Sequence, residues 1–328
     1  MRMTATYDVL GIGNAIVDVI ARADDALVAR LGLAKGAMQL IDTPRAEAIY
    51  AAMGPGIEAS GGSAANTCAA AASAGARAAY VGLVAADQLG QVFAHDIRAA
   101  GVAFATPPAS EGPPTARCLI LVTPDAQRTM CTYLGASVNL DERAIDPAVV
   151  AASAVTYLEG YLFDPPAAQA AFRKAAALAH GAGRQVALTL SDPFCVGRHR
   201  AAFRALVREE VDILFANEAE ILSLYEVDDF GAALAAVRAE TRVACLTRSE
   251  KGSVIVAGDT MIEVAAVPTQ VVDTTGAGDA YAAGFLAGYA AGRELAVCGR
   301  MASIAAAEAI SHVGARPQVA LAGLMAEA

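Results

Sequence analysis

Asp273-Thr274-Thr275-Gly276-Ala277-Gly278-Asp279 ends an apolar run, turns tightly on glycine and enters the first turn of a helix. Two glycines around one small residue let successive backbone N–H groups face a single point. At a helix N-terminus such a concavity attracts anions, because unpaired donors and the positive end of the macrodipole act together. Asp279 is the odd member, since a carboxylate beside an anion site repels its ligand. Its presence makes sense if it takes a proton. The alternative is a glycine-capped helix with an acidic first turn.

Outward from this turn, other segments carry the same double reading. Tyr7–Gly13 reads as a buried strand running into glycine. Gly11-Ile12-Gly13-Asn14-Ala15-Ile16 opens like a dinucleotide fingerprint, but Ile16 replaces the third glycine and Asn14–Ile20 continues extended, so a Rossmann cofactor site fails on context. Asp18 inside that run either points to solvent or receives a hydroxyl ligand. Ser60-Gly61-Gly62-Ser63-Ala64-Ala65-Asn66 leads into an Ala-rich helix. Its glycines permit close approach to a ligand, Ser63 can cap the helix, and Asn66 is free for a side-chain role. The strand 211–215 ends at Asn217-Glu218-Ala219-Glu220, at the strand end where doubly wound sheets bind ligands. Taken alone, an N-cap with acidic first-turn residues explains it fully. Gly284, Gly288 and Gly292 share one helical face and suit close packing on the sheet.

Strands and helices otherwise alternate in βαβ rhythm, except over 101–136. There Val102–Ala105, Ala116–Val122 and Arg128–Leu134 read as strands joined by Pro- and Gly-rich turns. With the strands from Ala15 to Ile41 they would form a small separate sheet, placed as a lid on a cleft. Arg128 opens its last strand, where a long cation could reach inward.

The chain of 328 residues is 56% hydrophobic and 18% charged, too apolar for a disordered protein. A net charge of −10 argues against nucleic acid or an anionic membrane as the main partner. Six scattered cysteines and four histidines lack disulfide or zinc spacing, which suits buried thiols in a reducing cytoplasm. No signal peptide or membrane span is legible, and the expectation is a soluble cytoplasmic protein.

In order and spacing, Ser60–Asn66, Asn217–Glu220 and Asp273–Asp279 resemble the ribokinase-like (PfkB) sugar and nucleoside kinases over nearly the whole chain. That resemblance implies an α/β fold with a doubly wound, mostly parallel central sheet, helices on both faces and a small β-sheet lid. It implies a single kinase domain over 1–328, the lid built from about 15–45 and 101–136. Details resemble the adenosine kinase branch: Gly13–Asp18, the Gly-Gly-Ser of Gly61–Ser63, Arg128 before Leu134-Gly135-Ala136, and Leu190–Phe194. Thr275 departs from the asparagine common in that branch. Ser249, after Thr247-Arg248, departs from a glycine common in the wider family.

The resemblance implies ATP and Mg²⁺ as cofactors, with a monovalent cation such as K⁺ as a further candidate. Asn14, Asp18, Gln39, Gly61, Gly62, Ser63 and Asn66 would bind the acceptor, with Tyr161 and Phe163 as candidates for stacking on a base. Asp279 would be the general base, the N–H groups of Gly276, Ala277 and Gly278 an anion hole, and Arg128 the cation on the transferred phosphate. Asn217, Thr247, Arg248, Gly252, Thr274, Gly276 and Gly278 would meet ATP, and Asn217 with Glu220 would organise Mg²⁺ through water. The expected reaction is phosphorylation of a nucleoside 5′-hydroxyl, adenosine foremost. A kinase for another nucleoside or a free sugar is the alternative. The implied partners are small molecules, with no nucleic acid and no membrane, in a monomer or homodimer.

Overall fold

In the strand Tyr7–Ile12 (β1), Val9 joins the apolar core on one face of a sheet, while Leu10 and Ile12 join the core on the other. A strand buried on both faces belongs to a parallel sheet covered by helices on either side. The computed structural model describes residues 5–125 and 127–328. Residues 1–4 and 126, inside the expected domain and lid spans, lie outside the described residues.

The further strands are β2 (Ile16–Arg22), β3 (Met38–Leu40), β4 (Gly56–Gly61), β5 (Ala78–Val81), β6 (Val102–Phe104), β7 (Ala116–Val122) and β8 (Arg128–Tyr133). They continue with β9 (Ser153–Glu159), β10 (Gln185–Thr189), β11 (Ile213–Asn217), β12 (Val243–Thr247), β13 (Ser253–Ala257) and β14 (Thr260–Val264). Among the described residues the large sheet runs β14-β13-β12-β11-β10-β9-β1-β5-β6, parallel except for the β12-β13-β14 edge.

The first helices are α1 (Asp25–Arg30), α2 (Thr43–Ala52), α3 (Ser63–Ser73), α4 (Gln88–Ala99), α5 (Pro147–Ala151) and α6 (Pro166–Gly181). The others are α7 (Pro193–Glu210), α8 (Glu218–Tyr225), α9 (Phe230–Glu240), α10 (Ala277–Ala290), α11 (Leu295–Ala309) and α12 (Leu321–Leu324). Helices α3, α4, α10 and α11 cover Val9, Tyr157, Phe215 and Ile255 on one face. Helices α5 to α9 cover Leu10, Leu158, Leu188 and Leu214 on the other. The doubly wound body and separate small sheet are the expected fold. No helix among the described residues is long and apolar enough to cross a membrane.

The small sheet runs β3-β8-β7-β2-β4 and differs from expectation at two strands. Val102–Ala105 does not join it: β6 pairs parallel with β5, Ala78 opposite Val102, because α4 between them makes an ordinary βαβ crossover onto the large sheet. Its place is taken by β4, which pairs antiparallel with β2 and places Asp18 opposite Ala59. The glycine face of α10 also packs differently. A Cβ on Gly284 would stand 2.6 Å from the Met301 carbonyl oxygen, so this face meets α11 rather than the sheet. Gly292 instead lies beyond the helix end at φ +73°.

Most helix starts are capped by side chains. Asp24, Asp42, Asp87, Asp146, Asp192, Asp229 and Asn217 each accept a first-turn N–H. Helices α3 and α10 begin at Gly62 and Gly276 without such a cap. Their starts lie at the carboxyl ends of the parallel strands, where register sets Asn217 beside Thr247 and Glu159 beside Thr189.

Candidate active site

Two glycines bring the starts of α3 and α10 together. Gly276 has φ +77°, and a Cβ there would lie 2.7 Å from Ala315. Gly62 has φ +97°, and a Cβ would lie 2.1 Å from the Asn14 carbonyl oxygen. Neither position admits a side chain without moving backbone. Asp279, in the first turn of α10, accepts a hydrogen bond from the Ser63 hydroxyl at 2.6 Å. Ser63 therefore does not cap α3, as one reading of the sequence had it; it is the first residue of α3 and bridges to the other helix. The cap comes from afar, since Glu159 at the end of β9 accepts the Ala64 N–H at 2.8 Å.

Three acids converge here. Burial pushes the Asp279 carboxyl up to about 6, opposed by hydrogen bonding from Ser63 and Asn66. Burial likewise raises Asp18 to about 6; Arg316 and Arg128 oppose the shift and Asp279 adds to it. Glu159, 1% exposed, is raised to about 7 by burial against donors from Ala64 and Asn14. Asn14 is held within the protein: its Nδ2 donates to Glu159 at 2.7 Å and its Oδ1 accepts from Ser137 at 2.9 Å. At 1% exposure, both polar ends of its amide have protein partners.

Arg128 reaches from β8 to the turn before α10, where it forms an ion pair with Asp273; the two side chains are 9% and 10% exposed. Thr275 completes the contact, its hydroxyl donating to Asp273 at 2.7 Å and accepting from Arg128 at 3.3 Å. Asp273 also accepts from the Gly314 N–H at 3.0 Å. Against the cost of burial, these donors and the Arg128 charge hold its carboxyl below the usual range. Arg128 thus sits at the anion turn with its charge already matched.

On the α8 side, Asn217 and Glu220 form a reciprocal capping box. The Glu220 N–H donates to Asn217 Oδ1 at 2.9 Å, and the Asn217 N–H and Nδ2 donate to Glu220 at 2.9 and 2.6 Å. Burial raises Glu220 to about 7 despite the Asn217 N–H, with repulsion from Asp192 and Asp279 adding to it. Arg248 is bound to Glu218 at 3.0 Å and lies 4.0 Å over the Phe230 ring. Thr247 ends β12, Thr274 is exposed in the turn, and Gly252 closes the 3-10 turn Ser249–Lys251. Ser249 itself holds φ +53° with a side chain, a backbone conformation that favours glycine.

Two candidate aromatics separate cleanly. Phe163 is wholly buried and stacked on Phe203 at 4.4 Å; it belongs to the core and cannot meet a base, a correction to the expectation. Tyr161 is 37% exposed, its phenol facing Asp192 and Asp279. Gln39, on edge strand β3, donates to Cys131 at 3.7 Å. Gly61 lies against the Asp18 carboxylate.

The family model described as pfkB family carbohydrate kinase matches residues 55–320. The chain belongs to the pfkB family of carbohydrate kinases. This pfkB kinase is similar to a crystal structure of adenosine kinase from Sinorhizobium meliloti, with 55% identity, 98% of this chain and 99% of that one covered, and a TM-score of 0.90. It is also similar to a probable sugar kinase protein from Rhizobium etli CFN 42, with 50% identity, 99% of each chain covered and a TM-score of 0.91. A nucleoside kinase of Methanothermobacter thermautotrophicus is 37% identical over 111 residues, 33% of this chain and 34% of that protein. The first curated relatives are matched over only 44% and 34% of their own length.

Sequence reasoning missed three residues of this candidate site. Glu159 carried a signal, an acid closing the apolar run Val155–Leu158 at a strand's carboxyl end. Asp96 and Arg316 carried none, because Asp96 is one polar residue of a surface helix and Arg316 lies in a loop after α11. Arg316 nonetheless donates to Asn66 at 3.3 Å and to Asp96 at 3.0 Å.

Proposed function

We propose that the protein transfers the γ-phosphoryl group of ATP to the 5′-hydroxyl of a nucleoside, adenosine to AMP, in the cytoplasm. The observation that carries this reading is the Asp279 carboxylate at the uncapped start of α10, hydrogen-bonded to Ser63 and facing Asp18. The likeness to the Sinorhizobium meliloti protein supports adenosine as the acceptor. The likeness to the Rhizobium etli protein favours a second reading, a free sugar at the same catalytic centre.

In the proposed reaction the 5′-oxygen attacks the γ-phosphorus, the bond to the ADP leaving oxygen breaks, and the hydroxyl proton passes to Asp279. Phosphoryl transfer demands placement and charge stabilisation more than covalent help. Asp18 and Asn66 supply acceptor and donor for the sugar hydroxyls, and the open backbone at Gly61-Gly62 allows the ring close approach. The N–H groups of Gly276 and Gly278 have no intrahelical acceptor, while that of Ala277 makes a 3.3 Å bond to Thr274 that an incoming phosphate can replace. Arg128 exchanges Asp273 for the phosphate. The small sheet above excludes water, the competing acceptor.

The residues present suit a hydrated Mg²⁺. Among the described residues no group of three or more His, Cys, Asp or Glu is placed to hold a metal by itself, and Glu220 is buried opposite like charges that a cation would relieve. Asn217 and Glu220 would hold it through water. When bound, it supplies charge neutralisation on the phosphates.

The test is ADP release with Mg·ATP fixed across a panel of nucleosides and pentoses. Turnover confined to nucleosides, adenosine first, supports the reading. Turnover confined to a pentose replaces it with the second, and none with any acceptor sinks both.

A further inference from the structure

Asn66 stands between Arg316 and Asp279. Its amide has one acceptor oxygen and one donor nitrogen, whereas a guanidinium only donates. The 3.3 Å contact from Arg316 Nε therefore requires Asn66 Oδ1 to face the arginine, which leaves Nδ2 to hydrogen-bond Asp279. Arg316 is itself anchored. Asp96 on α4 accepts from Arg316 Nη1 at 3.0 Å, and the same carboxylate oxygen takes the Ser60 N–H at 2.8 Å. Ser60 is the penultimate residue of β4, immediately before Gly61-Gly62, so this one carboxylate ties the glycine turn and the C-terminal loop to α4.

Arg316 is expensive where it lies. Burial lowers its pKa despite Asp96 and Asp18 nearby, and its Nη2 is buried without a protein partner. An apolar side chain would fill the same space without that cost.

We infer that Arg316, anchored by Asp96, is a positioning residue: it locks the Asn66 amide so that Asn66 presents a donor to Asp279. The inference rests on Asp279 as the proton acceptor proposed above. Without the lock the amide can reverse and turn its oxygen toward the carboxylate, which disfavours ionisation. The groups facing Asp279 are Ser63 and Asn66 from α3, Asp18 from β2, Tyr157 and Glu159 from β9, Tyr161 beyond it and Glu220 from α8. Ser63 and Asn66 are the two that favour its charge, so loss of the Asn66 donor has no ready replacement.

The experiment uses the full chain with Arg316→Gln, Arg316→Lys and Asp96→Asn. Arg316→Gln is expected to move the acid limb of kcat/KM upward by about one pH unit, with ~10-fold loss near pH 5.5 and under ~3-fold near pH 8.5. Arg316→Lys, which keeps a pure donor, restores most of the low-pH activity, and Asp96→Asn shifts the limb less in the same direction. A substrate-free readout accompanies it: the Tm difference between each protein and its Asp279→Asn derivative, followed against pH. An acid raised in the folded state from 3.8 to about 6 is penalised above that window, so the gain from Asp279→Asn grows between them and then levels off. In Arg316→Gln the levelling-off point moves up. Unchanged acid limb and unchanged Tm window in folded Arg316→Gln overturn the inference; if that variant does not fold, the same result in Asp96→Asn does so. A shifted Tm window in a protein that phosphorylates no acceptor upholds the positioning and refutes the proposed reaction instead.

Discussion

As the proposed proton acceptor, Asp279 would combine two demands that conflict: a base needs its charge, and burial resists it. With its carboxyl near 6, most molecules carry the ionised form at pH 7.5, while the group remains basic enough to accept a hydroxyl proton. Activity is therefore expected to fall as pH drops through about 6, because protonation removes the acceptor. Asp279→Asn should fold, bind acceptor and lose about 10²–10⁴ in kcat, measured as ADP release; near-normal turnover would refute the assignment. The same variant should melt a few degrees higher at pH 8, since it removes a penalised charge. Ser249 makes a separate point about backbone. Its φ of +53° costs a side-chain-bearing residue about 1 kcal/mol, so Ser249→Gly should raise Tm, and a drop would mean its hydroxyl does more than the structure records.

Helix starts divide into those closed by their own sequence and those left open. Asn217→Ala should cost about 1 kcal/mol of stability through lost capping, and a larger fall in activity than in Tm would mark α8 as part of the metal site. Gly276→Ala forces a Cβ onto Ala315 and strains φ, so kcat should drop by about 10²–10³ as the donors of α10 lose aim. This division also explains what the sequence made legible. Gly276, Gly278 and Asp279 sit within four residues, so their meaning is local. Gly61, Gly62 and Asn66 are local too, within six residues. Glu159, by contrast, bonds Asn14 across 145 positions and Arg316 bonds Asn66 across 250, separations no pattern along the chain reveals. Phe163 illustrates a different failure: beside Tyr161, only the direction of each side chain separates a core residue from an exposed one. β6 departs from the expected small sheet because a three-residue strand carries little periodicity, and the long α4 before it is the better clue.

At the scale of the molecule, the small sheet is joined to the body by the Arg128–Asp273 pair as well as by its chain crossings. Both partners are nearly buried, so removing one strands a charge. Arg128→Met should speed amide exchange across β7 and β8 in the ligand-free protein and lower kcat by about 10–100-fold, with little change in exchange of β9 to β12. Uniform change across both sheets would mean that the pair supports the whole fold and does not gate the cleft.

The order of strands in that sheet has a consequence for synthesis. β4 is available to β2 soon after both leave the ribosome, but the other edge of β2 pairs with β7, whose first residue, Ala116, follows Arg22 by ninety-four positions. At about 5–20 residues per second, that edge stays bare for roughly 5–20 s. β3 waits almost as long for β8, since Met38 pairs with Met130. A nascent chain halted between these strands therefore offers an unpaired, apolar β-edge to chaperones or to other copies of itself, and slow codons over 23–115 would be felt as aggregation.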